Sequence, residues 1–179
     1  MTIAGSCPWA VLGDGINDGF APGEAAGFML LISDRVIKKC PSKPLARVFA
    51  PAMAQEPGHY YSNEPYRGEG LAQAFGIALE QANRPTIGTV YSSMTGEHFW
   101  AKEYGVATLR HRTALDPRMK HEHPADCFGD IGAAAGPVMI GMAAIGMQHG
   151  YIKGPSLVYC ASDTEHRAAV CLHVNMSTV

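Results

Sequence analysis

The sequence has no long run of charge of one sign, no Cys-x-x-Cys pair and no apolar run of twenty residues. Its 14 basic and 16 acidic residues leave a net charge of -2. They are too dispersed to form the basic stripe that nucleic-acid binding needs. The one short basic cluster, Arg110-His111-Arg112, reads as the solvated end of a helix. The cysteines, Cys7, Cys40, Cys127, Cys160 and Cys171, are odd in number. That speaks against a disulfide scaffold and for a reducing, cytoplasmic setting. No basic segment followed by an apolar one stands at the N-terminus, so no secretory signal is expected. The longest apolar stretch, residues 132–147, would reach about 24 Å as a helix, short of the roughly 30 Å hydrocarbon core of a bilayer. It is rich in Gly and Ala and contains Pro137. It reads as a helix buried in a layered domain, its small residues admitting a close neighbour.

What is present suits a globular domain. Hydrophobic residues make up 47% and charged residues 17%, which excludes a disordered chain, and 179 residues suit one compact unit. Residues 1–19 are Gly-rich and expected to be irregular. Residues 25–32, AAGFMLLI, form a continuous apolar run of the kind expected in a strand covered on both faces. Residues 47–54 are a second strand candidate. Residues 55–68 are turn-rich, broken by Pro57, Gly58, Asn63 and Pro65. Leu71, Ala74, Phe75, Ala78, Leu79 and Ala82 recur at helical spacing, which predicts an amphipathic helix over 71–83. Residues 86–91 read as a strand, 97–109 as a polar helix and 117–124 as a charged loop. Residues 125–128 read as a short strand, ahead of the small-residue helix from Gly132. Residues 156–161 and 167–174 read as an antiparallel pair, because the turn between them is too short for a crossover. Strands alternating with helices predict an α/β domain, a mixed sheet with helices on both faces.

Four segments, in this order, resemble landmarks of the β-ketoacyl synthases of the thiolase-like superfamily. Asp18-Gly19-Phe20-Ala21-Pro22-Gly23-Glu24-Ala25-Ala26-Gly27 is similar to that family's DGFxxGEGAG segment. Arg67-Gly68-Glu69-Gly70-Leu71 is similar to its GxG opening of the first helix of the second half. Gly129-Asp130-Ile131-Gly132-Ala133-Ala134-Ala135-Gly136 is similar to its GHTxAAAG at the start of the central helix. Residues 156–174 resemble its closing hairpin with the turn GFGGTN. The resemblance implies a layered thiolase-like α/β fold amounting to about half to two-thirds of a full one. Residues 1–55 would be a remnant of the first half and 56–179 the second half, in one compact unit.

The departures from the family pattern carry the functional expectation. In that family a Cys thiolate accepts the acyl group and two His donate hydrogen bonds to the thioester carbonyl. The resemblance places the nucleophile many tens of residues before the DGFxxGE segment, so the half that would carry it is missing here, and Cys7 lies too close to substitute. The other cysteines stand at or near strand positions, as small buried thiols do. Ser92 falls within a residue of the first His position, Asp130 stands at the second, and Ala125 stands at the family's Lys. Ser162-Asp163-Thr164-Glu165-His166 replaces the glycine turn. Ser92, Ala125, Asp130 and Asp163 are thus the degenerate positions of the family site. An Asp carboxylate there would repel a developing enolate.

The residues lean against an enzyme and towards a catalytically degenerate accessory or scaffold protein. Gly96-Glu97, GDIGAAAG and CASD also look like a divergent ketosynthase-like group encoded beside type VI secretion effectors, which implies an effector partner. The alternative is an acyltransferase, a 3-oxoacyl-[acyl-carrier-protein] synthase subunit or fragment whose Cys comes from the missing half, with an acyl-carrier partner. A central helix without its facing half implies self-association or a second thiolase-like chain.

No cofactor or metal is expected. His121-x-His123 with Asp126, Cys127 and Asp130 offers zinc-ligand types, but solvated loop histidines and a core Cys are the expectation. Ser162, Asp163 and His166 share one turn without a G-x-S-x-G elbow, which reads as a capped hairpin. Glu97 with Glu103 is a candidate acid/base pair, and Glu24 is expected to satisfy buried backbone groups.

Overall fold

The computed structural model describes residues 18–37, 39 and 43–174. One sheet contains β1 (Arg47–Val48), β2 (Ala52–Gln55), β3 (Ile87–Ser92), β4 (Leu115–Glu122), β5 (Ser156–Ala161) and β6 (His166–His173). The helices are α1 (Asp34–Ile37), α2 (Glu69–Gln81), α3 (His98–Arg110), α4 (Ala125–Phe128) and α5 (Ala135–Gln148), with 3-10 turns at Arg112–Ala114 and Gly132–Ala134. The strand order is β1-β6-β5-β3-β4, and β2 also pairs with β6. β3 runs parallel to β4 and β5, while β6 is antiparallel to β5, β1 and β2. The mixed sheet expected from the order of elements is therefore present.

Strand alternation builds a core on each face. Leu157, Tyr159, Ala169 and Cys171 pack with Phe75 and Leu79 of α2 and Ala107 of α3. Val158, Val170 and Leu172 pack with Met139 and Ala143 of α5. Central β3 is buried along all six residues. The periodic apolar face of α2 is buried as its spacing predicts. Its first turn is held by Glu56, 1% exposed, whose Oε2 accepts the Gly70 N–H at 2.7 Å. A carboxylate there complements the positive end of the helix dipole.

Several expectations are corrected. Residues 25–32 form neither strand nor helix. Phe28, Leu30 and Leu31 are 97%, 83% and 68% exposed, and no sheet neighbour among the described residues covers them. Residues 117–124, read as a loop from their charges, lie largely in β4, an edge strand whose Arg118 and Lys120 face solvent. Residues 125–128 are a helical turn rather than a strand, ended by Gly129 at φ 71°. The long helix starts at Ala135 after its 3-10 turn, and Met142 and Ile145 remain 37% and 47% exposed, so it is only partly buried. Glu24 is exposed rather than inserted among backbone groups. Cys171 is buried and Cys160 half-buried on strands, but Cys127 is exposed on α4. Cys7, Cys40 and most of the Gly-rich start lie outside the described residues. Among the described residues no helix is long and apolar enough to cross a membrane.

Candidate functional site

The chain leaves β3 through α3 to reach β4, and returns through α5 to β5 on the other side of β3. The strand order therefore reverses at β3, and a crevice opens beyond the carboxyl ends of the parallel strands. A cavity of about 600 Å³ lies there. Ser93 and Thr95 reach it from the end of β3, Asp130 from the segment after β4, and Cys160 and Asp163 from the end of β5 and its turn. Tyr60 and Trp100 form an aromatic wall.

The four positions that the resemblance singled out, Ser92, Ala125, Asp130 and Asp163, all lie around this crevice. Ser92 is wholly buried. Its hydroxyl donates to Tyr159 Oη at 2.7 Å and accepts the Met94 N–H at 3.0 Å. It borders only a small side void of about 20 Å³, shared with Ala125 and Asp130. The next residue, Ser93, just beyond the end of β3, borders both the side void and the main cavity, and its hydroxyl accepts the Ala161 N–H at 3.1 Å. Asp130 borders both spaces, and its Oδ1 accepts the Gly132 N–H at 2.8 Å. Its own N–H donates to the Ala21 carbonyl at 2.7 Å, and its carbonyl accepts the Gly23 N–H at 2.8 Å. A Cβ on Gly129 would lie 2.6 Å from that Ala21 oxygen, at a backbone φ of +71°, so only glycine permits the contact. The DGF segment and the GDIGAAAG segment, far apart in sequence, thus meet at this point.

Asp163 lines the cavity from the β5–β6 turn, as do Ser162 and His166. The Ser162 Oγ lies 2.9 Å from Thr164 Oγ1 and accepts the Thr164 N–H at 3.2 Å, while the Ser162 N–H donates to the His166 carbonyl at 3.0 Å. These are the bonds of a capped hairpin turn, not of a nucleophile and its base.

Behind the turn stands a group that the sequence did not single out. Arg167 is 0% exposed, and its Nε donates to Glu103 Oε1 at 2.6 Å. Its Nη1 donates to the carbonyls of Ser162 and Thr164 at 2.7 Å and of His166 at 2.9 Å. The guanidinium lies 5.6 Å from the Trp100 ring centre. Burial raises the Glu103 carboxyl above the usual carboxylate range, against the pull of Arg167. Glu97 lines the cavity, its Oε2 accepting from Trp100 Nε1 and Thr95 Oγ1, each at 2.9 Å. Glu97 and Glu103 therefore serve separate places and do not form an acid/base pair. Burial, followed by the charges of Glu97, Asp18 and Asp163, raises the Tyr60 phenol. Burial pushes the Cys160 thiol up to about 11. The one available hint of these residues was an arginine and a cysteine inside otherwise apolar strand segments.

The histidine cluster is a separate feature. His121 stacks on Tyr104 with ring centres 4.0 Å apart, and burial pushes it down to about 4. His123 Nε2 lies 2.9 Å from Asp126 Oδ2. His121 lies on β4 and His123 in the connection just beyond it, and both are half-buried rather than fully solvated. Among the described residues no three His, Cys, Asp or Glu side chains gather to hold a metal ion.

No family model and no curated protein matches this sequence. Solved structures do share its fold. The ishigamide ketosynthase/chain length factor aligns with a TM-score of 0.74 at 17% identity, over 92% of this chain and 48% of that one. An oxazolomycin ketosynthase domain from Streptomyces albus JA3453 aligns with a TM-score of 0.68 at 13% identity, over 82% of this chain and 34% of that one. A type II polyketide ketosynthase, solved with its acyl-carrier protein and bound to the hexaketide, aligns with a TM-score of 0.64 at 11% identity, over 79% and 41%. The chain spans less than half the length of each of these neighbours. Its fold is a partial thiolase-like one, about half of a ketosynthase chain.

Proposed function

We propose that this chain is a ketosynthase-like protein that does not condense acyl groups and acts as an accessory or scaffold. The observation that carries the proposal is the chemistry around Asp130. Condensation needs a thiolate and hydrogen-bond donors aimed at a carbonyl oxygen. An ionised Asp is an acceptor only. Cys160, the cysteine bordering the cavity among the described residues, has its thiol raised to about 11, so burial holds it protonated at neutral pH. Ser92 spends its hydroxyl on Tyr159, and Ala125 brings no ammonium group. Incubation with an acyl-CoA followed by intact-mass measurement tests this: the expected result is an unmodified chain, and a stable acyl adduct on any cysteine would overturn it.

A place beside type VI secretion effectors is a finer form of the same proposal. Its support is the Gly96-Glu97, GDIGAAAG and CASD segments of the sequence. A second reading has its own support in the 48% coverage of the ishigamide protein. In that reading the chain is one part of a 3-oxoacyl-[acyl-carrier-protein] synthase, completed by a further thiolase-like half bearing the Cys and served by an acyl-carrier protein. Decarboxylation of a malonyl thioester on adding such a half would favour it.

A further inference from the structure

The charges that line the crevice are unevenly balanced. Among the described residues Arg167 is the one lining side chain of fixed positive charge, and Glu103 takes its Nε at 2.6 Å while its guanidinium lies against the Trp100 ring. His166 has its own carboxylate, Glu165, 3.6 Å from its Nε2. Asp130 accepts the Gly132 N–H ahead of α5, where an anion offsets the positive end of the helix dipole. Glu97 and Asp163 have no such partner: no ion pair among the described residues includes either. The groups that donate to Glu97, Trp100 Nε1 and Thr95 Oγ1, are neutral, so its charge stands.

Both carboxylates act at one aromatic corner. Burial raises the Tyr60 phenol, and the charges of Glu97, Asp18 and Asp163 raise it further, so the field at this ring is negative. Tyr61 meets Tyr60 at 73° with ring centres 5.7 Å apart, and both rings border the cavity. Aromatic rings set at an angle beside carboxylates attract an alkylated cation twice over, through the ring quadrupoles and through charge. The volume of about 600 Å³ is that of a small-molecule site.

We propose that this corner of the crevice binds a small organic ammonium ligand, with Tyr60 and Tyr61 packed on its alkyl surface and Glu97 and Asp163 as its counter-charges. A bare metal ion suits the site less, because among the described residues no three carboxylate, His or Cys groups gather to coordinate one. The same two charges repel a malonyl carboxylate. The proposal in this way deepens the non-condensing reading, on which it rests.

Titration of the whole chain with choline, followed by backbone amide NMR shifts, tests it. The control is the uncharged alcohol in which a tert-butyl group replaces the trimethylammonium group. The expected result is choline binding in the millimolar range or tighter, with shifts at Tyr60, Tyr61 and Glu97, and the alcohol binding roughly tenfold more weakly. Glu97→Gln keeps an oxygen for Trp100 and Thr95, and Asp163→Asn keeps the size of the turn residue. Each should weaken choline about threefold and leave the alcohol unchanged, and the spectra of the variants report their folding. Absence of choline binding at millimolar concentrations overturns the proposal. So does equal binding of the alcohol, or choline binding that ignores both carboxamide variants. The acyl-CoA mass measurement holds or fails independently of this titration, so failure of the ligand and failure of the non-condensing reading are told apart.

Discussion

Arg167 shows how much one side chain can hold. Its bonds to Glu103 and to three carbonyls of the β5–β6 turn fasten a cavity wall to α3. Replacing it with Met strands the buried Glu103 carboxyl, so Arg167→Met should cost about 3–5 kcal/mol in urea unfolding, and adding Glu103→Leu should recover most of the loss. His121 carries a pH signature. Its folded value of about 4 lies below the ordinary 6.5 because burial, and then His123, disfavour the charged ring. The unfolded chain therefore binds a proton that the folded chain refuses between pH 6.5 and 4. This contribution to stability is complete above pH 6.5 and is lost as pH falls towards 4, by at most ~3 kcal/mol. Urea midpoints measured across that range should decline on acidification, and His121→Phe should flatten the decline.

At the scale of elements, what the sequence revealed depended on whether a segment's pattern came from its own neighbours or from the sheet. The helix α2 was legible because six apolar residues on one face decide it locally, and the β5–β6 hairpin because two apolar runs flank a short polar turn. β4 was not legible. Its Pro117, Arg118 and Lys120 look like a loop, yet those residues suit an edge strand, where charge and proline blunt unwanted pairing. The run at 25–32 misled in the opposite sense, having a strand's composition without a strand's neighbour. In the cavity, Asp130 and Asp163 could be placed from motif order. Ser93 could not, because the motif pointed to Ser92, which is wholly buried, while Ser93 just past the strand end reaches the main cavity. The docking of residues 18–23 on Gly129 gives a further test. Gly129→Ala adds a Cβ 2.6 Å from the Ala21 carbonyl. It should break the two backbone bonds at Asp130, so that limited proteolysis cuts within residues 18–33 much sooner while the thermal midpoint of the sheet moves little. Glu56→Ala should cost about 1–2 kcal/mol, measured by urea unfolding, because it leaves the buried Gly70 N–H at the start of α2 without its acceptor.

For the whole molecule, the central place of β3 sets both the position of the crevice and the rigidity of the sheet. All six of its residues are buried and both its edges are paired, so its amides should be the last to exchange with deuterium, opening only with global unfolding. The crevice sits at the carboxyl end of this fully buried strand. The outer flank of the sheet has a different consequence. Among the described residues β1 and β2 find their partner only in β6, and residues 56–165 separate β2 from it. A ribosome making this chain therefore releases two strands and the apolar face of α2 long before the strand that covers them exists. Closure of that flank must wait for residues 166–173 to leave the exit tunnel, and until then its apolar surfaces stay uncovered.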